Sequence, residues 1–283
     1  MPSYRFCRTD DIELLVDALN RCWSPYVPGE PPMTPAAFKR SIRDLQVWCS
    51  SCMVAFAGSD PIAVLIGAKR PSATLIHRLA VHPDHLRQGH GRHLLTSLSS
   101  KLAILGPPRI IAEVPEALSP ACGLFSATGY VQEAALTDYI LQKPDNVLPE
   151  VTGGFLIPLT IDDLNANGLL GADYPETCWQ RSVETLTARK DEIAGIAVAS
   201  DEQIEAYVLY MKSTEDAETE IVSLRSFIDD GGARLKHLLS QLGVATLRFP
   251  KVHPAEISKE LLETLGFHPV GRQRLYAATA RSA

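Results

Sequence analysis

Residues 75–95 read LIHRLAVHPDHLRQGHGRHLL, and the order of features in this stretch decides the fold. Leu75 to Val81 is an apolar, strand-like run that meets a turn at His82-Pro83-Asp84. A basic loop with two glycines follows, Arg87-Gln88-Gly89-His90-Gly91, and an amphipathic helix begins near Arg92. Strand, glycine loop and helix start, in that order, make an anion site. The first amides of a helix lack intrahelical partners, and the positive end of its dipole lies beside them. Gly89 and Gly91 let the backbone approach a phosphate with no Cβ in the way. Arg87 and Arg92 add positive charge.

Two common phosphate loops are excluded. A nucleotide-hydrolase loop ends in Lys-Ser/Thr, and no such pair follows Gly91. The dinucleotide fingerprint needs a third glycine at position 94, which is Leu94. What remains is V-x-P-x-x-x-x-x-G-x-G, from Val81 to Gly91.

The rest of the chain sets bounds on the reading. With 283 residues, one large or two medium domains are expected. A hydrophobic fraction of 46% and a charged fraction of 21% are ordinary for a globular chain. The net charge of −6 argues against a general nucleic-acid or anionic-membrane binder, which needs a basic face. It mildly favours cationic ligands. No apolar run reaches the ~18 residues of a spanning helix, and the first residues carry no charged-then-apolar signal pattern. The six cysteines (Cys7, Cys22, Cys49, Cys52, Cys122, Cys178) are spread out and read as reduced thiols. A cytoplasmic location is expected.

The order of predicted elements occurs twice. In the first half, residues 4–7 read as a strand, and Asp10 with Glu13 as a capping box opening a helix. Thr34-Pro35 opens a second helix running to Trp48. Residues 52–57 and 62–69 form a hairpin about Gly58-Ser59-Asp60. The 75–81 strand, glycine loop and helix to Leu105 come next, then a strand at 109–114, a helix at 119–128 stopped by Gly129, and a strand at 137–142. The second half repeats the outline. Thr160 and Asp163 form a capping box, a helix carrying Trp179 follows Pro175, and strands at 193–200 and 204–212 mirror the hairpin. The run 221–227 mirrors the 75–81 strand. Leu261 to Phe267 mirrors Leu124 to Tyr130, and Tyr276 follows Gly266 by ten residues as Tyr139 follows Gly129. A junction is expected near residues 143–154. The second copy differs at its loop, which is short and reads Asp229-Asp230-Gly231-Gly232-Ala233-Arg234. Its carboxylates stand where a diphosphate would sit and repel one.

The V-x-P before a G-x-G resembles the acetyl-CoA signature of the GNAT acetyltransferase superfamily, written [Q/R]-x-x-G-x-[G/A] after a strand ending in V-x-P. One position departs, Leu86 standing for the usual Arg or Gln. The resemblance covers about 140 residues of the first half closely and the second half in outline. It implies an α/β (α+β) chain of two tandem domains. Each would hold a mixed, mostly antiparallel twisted sheet flanked by helices and splayed between two central parallel strands. The expected division is 1–144, binding acetyl-CoA and catalytic, and 145–283, a degenerate copy. On the resemblance, backbone of Leu79, Ala80 and Val81 pairs with the pantetheine arm. The loop of Arg87, Gln88, Gly89, His90, Gly91 and Arg92 holds the pyrophosphate, and Phe125 lies along the cofactor. No metal is implied.

Transfer of acetyl to an amine requires a base, since an amine of pKa ~10.4 is protonated at neutral pH and cannot attack. Glu113, at the end of the 109–114 strand, corresponds to a catalytic Glu in some members. Further departures are Leu118, at a position often Asn, and Phe125, at a position often a Tyr that protonates the departing thiolate. Tyr139 is the substitute expected for that role, and His77 a reserve base. The acceptor is expected to be a small-molecule or peptide amine. The alternatives are an acetyl-CoA sensor without turnover, and an enzyme whose second copy does the chemistry. His82, His85, His90 and His93 straddle a loop and a helix start, so their side chains are expected to diverge rather than gather on a metal. Cys49-x-x-Cys52 has no second pair for zinc.

Overall fold

The computed structural model describes residues 1–142, 154–170, 177–211 and 218–281. Residues 143–153 of the junction expected at 143–154, and Pro175, lie outside them. In chain order the first part comprises β1 (Ser3–Phe6), α1 (Ile12–Cys22), α2 (Pro35–Leu45), β2 (Met53–Ala57), β3 (Asp60–Lys69), β4 (Thr74–Val81), α3 (His90–Leu105), β5 (Arg109–Pro115), α4 (Ser119–Ala127) and β6 (Val131–Gln142). There follow β7 (Phe155–Leu159), α5 (Ile161–Ala166), α6 (Val183–Ala188), β8 (Ile193–Ala199), β9 (Ile204–Met211), β10 (Glu218–Ser226), α7 (Ala233–Gln241), β11 (Thr246–Val252), α8 (Lys259–Thr264) and β12 (His268–Thr279).

Local chemistry accounts for most element ends. Thr34 Oγ1 accepts from the Ala37 amide at 3.1 Å, and Pro35 starts α2. That helix stops three residues before Trp48, because Gln46 takes a left-handed conformation with φ 59°. The Thr160–Asp163 capping box forms in both directions, at 3.1 and 2.9 Å. Its expected counterpart at Asp10 does not. Asp11 precedes α1 instead, and its carboxylate turns back to the Arg8 amide at 2.7 Å and to Arg5 at 2.9 Å. Trp179 sits on a single 3₁₀ turn, not in a helix.

Two compact units result, Met1–Ala134 with Arg274–Ala283, and Ala135–Gln273. The first orders its strands β1-β2-β3-β4-β5-β12, and the second β6-β11-β10-β9-β8-β7. These units differ from the consecutive stretches 1–144 and 145–283. β6 runs on from the first unit into the second, and β12 returns from the second to the first, so the copies exchange their equivalent last strands.

Among the described residues each unit shows a short parallel pair. β4 pairs with β5 at Thr74↔Ile110 and Leu75↔Ile111 only, and β10 with β11 from Glu218↔Thr246 to Glu220↔Arg248. Past that point an extra residue bulges each strand. Against β3 the register jumps from Gly67↔Ile76 to Ile66↔Arg78, leaving out His77. Against β9 it jumps from Ile221 to Ser223, leaving out Val222. Both bulges fall two residues beyond the last parallel pair.

The first unit's core lies under α3. Leu94, Leu95, Leu98 and Leu102 recur on one helical face and pack on Ile76, Ile110, Ala112 and Val114. In the second unit Leu235, Leu238 and Leu239 of α7 do the same on Val208, Ile221, Leu247 and Phe249. This unit also buries an ion pair. Arg181 meets Glu256 at 2.5 Å, with side-chain exposures of 4% and 5%. It donates to the carbonyls of Pro250 and Lys251 as well, and lies 4.8 Å over the Phe249 ring. Removing one partner strands the other charge in the core. Glu256→Ala is therefore expected to cost about 3–5 kcal/mol, read as a lowered urea midpoint in the transition that follows Trp179 fluorescence.

Candidate active site

The site in the first unit begins where β4 and β5 part. His82 donates its amide back to Ile62 O on β3 at 2.8 Å. Backbone direction alternates along a strand, so the amide and carbonyl of Val81 point to the opposite, open edge. There the Tyr26 hydroxyl donates to Val81 O at 2.6 Å. Leu79, two residues earlier, presents its backbone to the same edge, while Ala80 faces β3. Of the three residues expected to pair with an extended arm, Leu79 and Val81 thus have backbone on the open side.

The loop beyond β4 is held in an uncommon shape. His82 Nδ1 accepts from the Asp84 amide at 3.3 Å, across a 3₁₀ turn at Pro83–His85. Arg87 then takes φ 61° and Gly89 φ 86°, both left-handed. Gly89 is the N-cap of α3, and no neighbouring atom lies within 4 Å of where its Cβ would be. The first amide to close a helical bond is that of His93, onto Gly89 O at 3.0 Å. The amides of His90, Gly91 and Arg92 are the ones a helix start leaves without such partners. Arg87, Gln88, Gly89 and Arg92 are exposed around them.

Several expected residues take other places. Gly91 is buried, and a Cβ there would lie 2.9 Å from Leu124 Cδ2. Its missing side chain makes room for α4 rather than for a ligand. His90 is buried too. Tyr4 OH lies 2.7 Å from its Nδ1, and burial, helped by His85 and His93, holds its pKa below the ordinary value. It offers an amide to the loop, not a charge. The four histidines do not diverge. Rings of His82, His85 and His90 follow one another at 6.0 and 6.2 Å, and Tyr4 lies against both His90 and His93. Among the described residues no three such side chains are placed to hold a metal.

Phe125 is 4% exposed, stacked on Tyr276 at 5.7 Å and edge-on to Tyr130 at 5.1 Å. Its ring packs in the core cluster of the first unit. Tyr139 is 6% exposed and belongs to the core cluster of the second unit with Phe249 and Val208. Tyr139 and Glu113 thus belong to different units. The strand exchange brings Tyr276 to the first unit in its stead, with the Arg274–Glu116 ion pair (2.9 Å) beside it.

Glu113 lies on β5, two residues past the last paired residue, and is half-buried. Ile110, Ala112 and Val114 face the α3 core, so alternation puts Glu113 on the other face of the sheet. His77 is the bulge residue. Sequence reasoning missed Tyr26 and Arg78, which leave no motif. Only their approach to the open edge marks them.

The second unit shows what the same loop looks like when filled. Asp230 accepts from the amides of Gly232 (2.9 Å) and Arg234 (3.0 Å) and from the Arg234 guanidinium (3.0 Å). Arg234 also meets Glu205 at 2.6 Å. Burial raises the Asp230 pKa, but these bonds outweigh it and hold the carboxyl below its usual range. A side-chain carboxylate occupies the start of α7, where the first unit presents free amides at α3.

Parted parallel strands, followed by an amide-lined turn into a helix, define a GNAT fold. Residues 12–130 match the model of the Acetyltransferase (GNAT) family. It is 33% identical over 123 residues to a mycothiol acetyltransferase of Thermomonospora curvata. That match covers 40% of this chain and only 39% of the relative's length. Over their full lengths the chain resembles a tandem GNAT protein from the clavulanic acid biosynthesis pathway, with TM-score 0.69, 17% identity and 100% of both chains covered. A GCN5-related N-acetyltransferase from Sphaerobacter thermophilus gives 0.67 at 13% identity, over 99% of this chain and 96% of that one.

The left-handed Arg87 is a strained position that a ligand-binding loop keeps. Arg87→Gly is expected to raise the stability of the protein by about 1 kcal/mol in chemical denaturation. The same change should weaken binding of inorganic pyrophosphate measured by calorimetry.

Proposed function

We propose that the first unit binds acetyl-CoA and transfers its acetyl group to a primary amine by direct attack. The observation that carries this reading is the early end of the β4–β5 ladder above the α3 amides. An extended arm fits the open β4 edge, and a diphosphate fits the helix start. Bound acetyl-CoA supplies the acyl group as a thioester. The amides of His90, Gly91 and Arg92, with the charges of Arg87 and Arg92, hold its phosphates. The backbone of Leu79 and Val81 aligns the arm.

Glu113 takes the proton of the acceptor's ammonium through water. The amine forms its C–N bond as the C–S bond breaks, and the sulfur leaves with the electron pair. Phe125 has no proton to give, and a thiol of ordinary pKa near ~8.5 can take one from solvent. A covalent acetyl group on Cys7, Cys22 or Cys52 is disfavoured. Burial pushes Cys7 up to about 12 and Cys22 to about 11, and Cys52 also lies above its usual value. Protonated thiols are poor nucleophiles. On this reading the second unit, its loop filled by Asp230, binds no cofactor.

A second reading follows from Phe125 itself. A site that has lost its proton donor can keep acetyl-CoA without turning it over and act as a sensor. Release of free thiol with an amine panel separates the two, because the sensor binds acetyl-CoA and releases none. Arg87→Asp, a change toward the filled loop of the second unit, is expected to weaken acetyl-CoA binding about tenfold or more, read by calorimetry. Glu113→Gln should lower kcat by about 10²- to 10⁴-fold while acetyl-CoA affinity stays within error. Full activity of Glu113→Gln at pH 7 removes Glu113 from its role.

A further inference from the structure

The cofactor reading leaves one charged side chain of β4 without a task. Arg78 lines a cavity of about 300 Å³ whose walls include Leu19, Trp23, Val27, Met33 and the carboxylate-bearing Glu30. The polar group of Asn20 in this wall is already used. Its side chain exchanges two hydrogen bonds with the Met33 backbone, at 2.9 and 2.7 Å, and so ties down the segment between α1 and α2. The Arg78 guanidinium carbon sits 5.1 Å over the Trp23 ring. Among the described residues no carboxylate comes within ion-pair distance of it. Glu30, exposed, is the anion whose field reaches it, and burial lowers the arginine's pKa against that field.

A half-buried guanidinium without a counter-ion is costly to keep, and a bound anion relieves that cost. Its planar fork suits a carboxylate, taken in two parallel hydrogen bonds. The cavity also lies on the correct side of the sheet. Leu79 and Val81 on β4, like Ile110, Ala112 and Val114 on β5, pack toward the α3 core. Arg78 therefore shares the opposite face with Glu113, on the two strands that part.

We infer that the acceptor is an amine that also carries a carboxylate, an apolar amino acid being the simplest case, with the carboxylate on Arg78 and the apolar side chain against Trp23 and Met33. This rests on the acetyl-transfer reading for its amine, but the carboxylate site stands on the cavity alone. The inference reverses the expectation drawn from net charge. An acidic chain favours cations at long range, whereas this cavity presents a cation to its ligand.

The test compares L-alanine, L-leucine and L-phenylalanine with ethylamine, isoamylamine and phenethylamine, which lack only the carboxylate. Binding to the full chain is measured by calorimetry, with acetyl-CoA titrated separately. At least one amino acid should bind about tenfold or more tighter than its amine, and Arg78→Gln should erase the difference. Amines that bind as well as their amino acids overturn the inference. So does a carboxylate preference that survives Arg78→Gln, or the failure of all three amino acids to bind. If Arg78→Gln does not fold, the wild-type comparison decides alone. Failure to bind acetyl-CoA with the carboxylate preference intact sinks the transfer reading and leaves the carboxylate site.

Discussion

Two parallel strands that stop pairing after two residues carry the rest of this structure. A continuous β4–β5 ladder would satisfy every backbone group between them and leave nothing for a ligand. The extra residue at His77 shifts the β3–β4 register just past the last parallel pair. Beyond it the strand keeps its β3 partner and presents the backbone of Leu79 and Val81 to an open edge. Unpaired strand edges are a liability in water. Here Tyr26 takes one carbonyl and the helix α3 sits at the end of the opening, so the edge becomes a site of defined length.

The second unit repeats the parting of strands but not its use. Its bulge at Val222 has the same offset from the parallel pair. Its helix start, however, accepts a carboxylate from its own loop, and Arg234 and Glu205 fix that carboxylate in place. An anion site at a helix N-terminus is indifferent to the source of the anion. One side chain supplied from within is enough to convert a binding loop into a structural one. The buried Arg181–Glu256 pair next to β11 belongs to the same trend, with charges that close on each other rather than on a ligand.

The exchange of β6 and β12 shows why duplication hides part of the fold from a sequence reader. Tyr139 and Tyr276 stand at equivalent offsets from Gly129 and Gly266, on strands of similar character. Either would fit beside β5. Nothing local distinguishes them, and the choice is made by which core each strand completes. The consequence reaches the chemistry, since Tyr276 and not Tyr139 packs against Phe125.

Read alone, the chain determined the elements with strong local signals. The glycine loop before α3, the Thr34 and Thr160 caps, the hairpin about Gly58 and the twofold repeat follow from turn chemistry, capping and hydrophobic period, which act over a few residues. The open amides of α3 and the acidic plug at Asp230 were legible for the same reason. Tertiary structure alone decided which strand closes which unit, that Gly91 serves packing against Leu124, that His90 and Phe125 are buried, and that Arg78 lines a cavity with no carboxylate at ion-pair distance among the described residues. Each of these depends on residues far apart in the chain meeting across a core, and no spacing in one segment specifies what will lie against it.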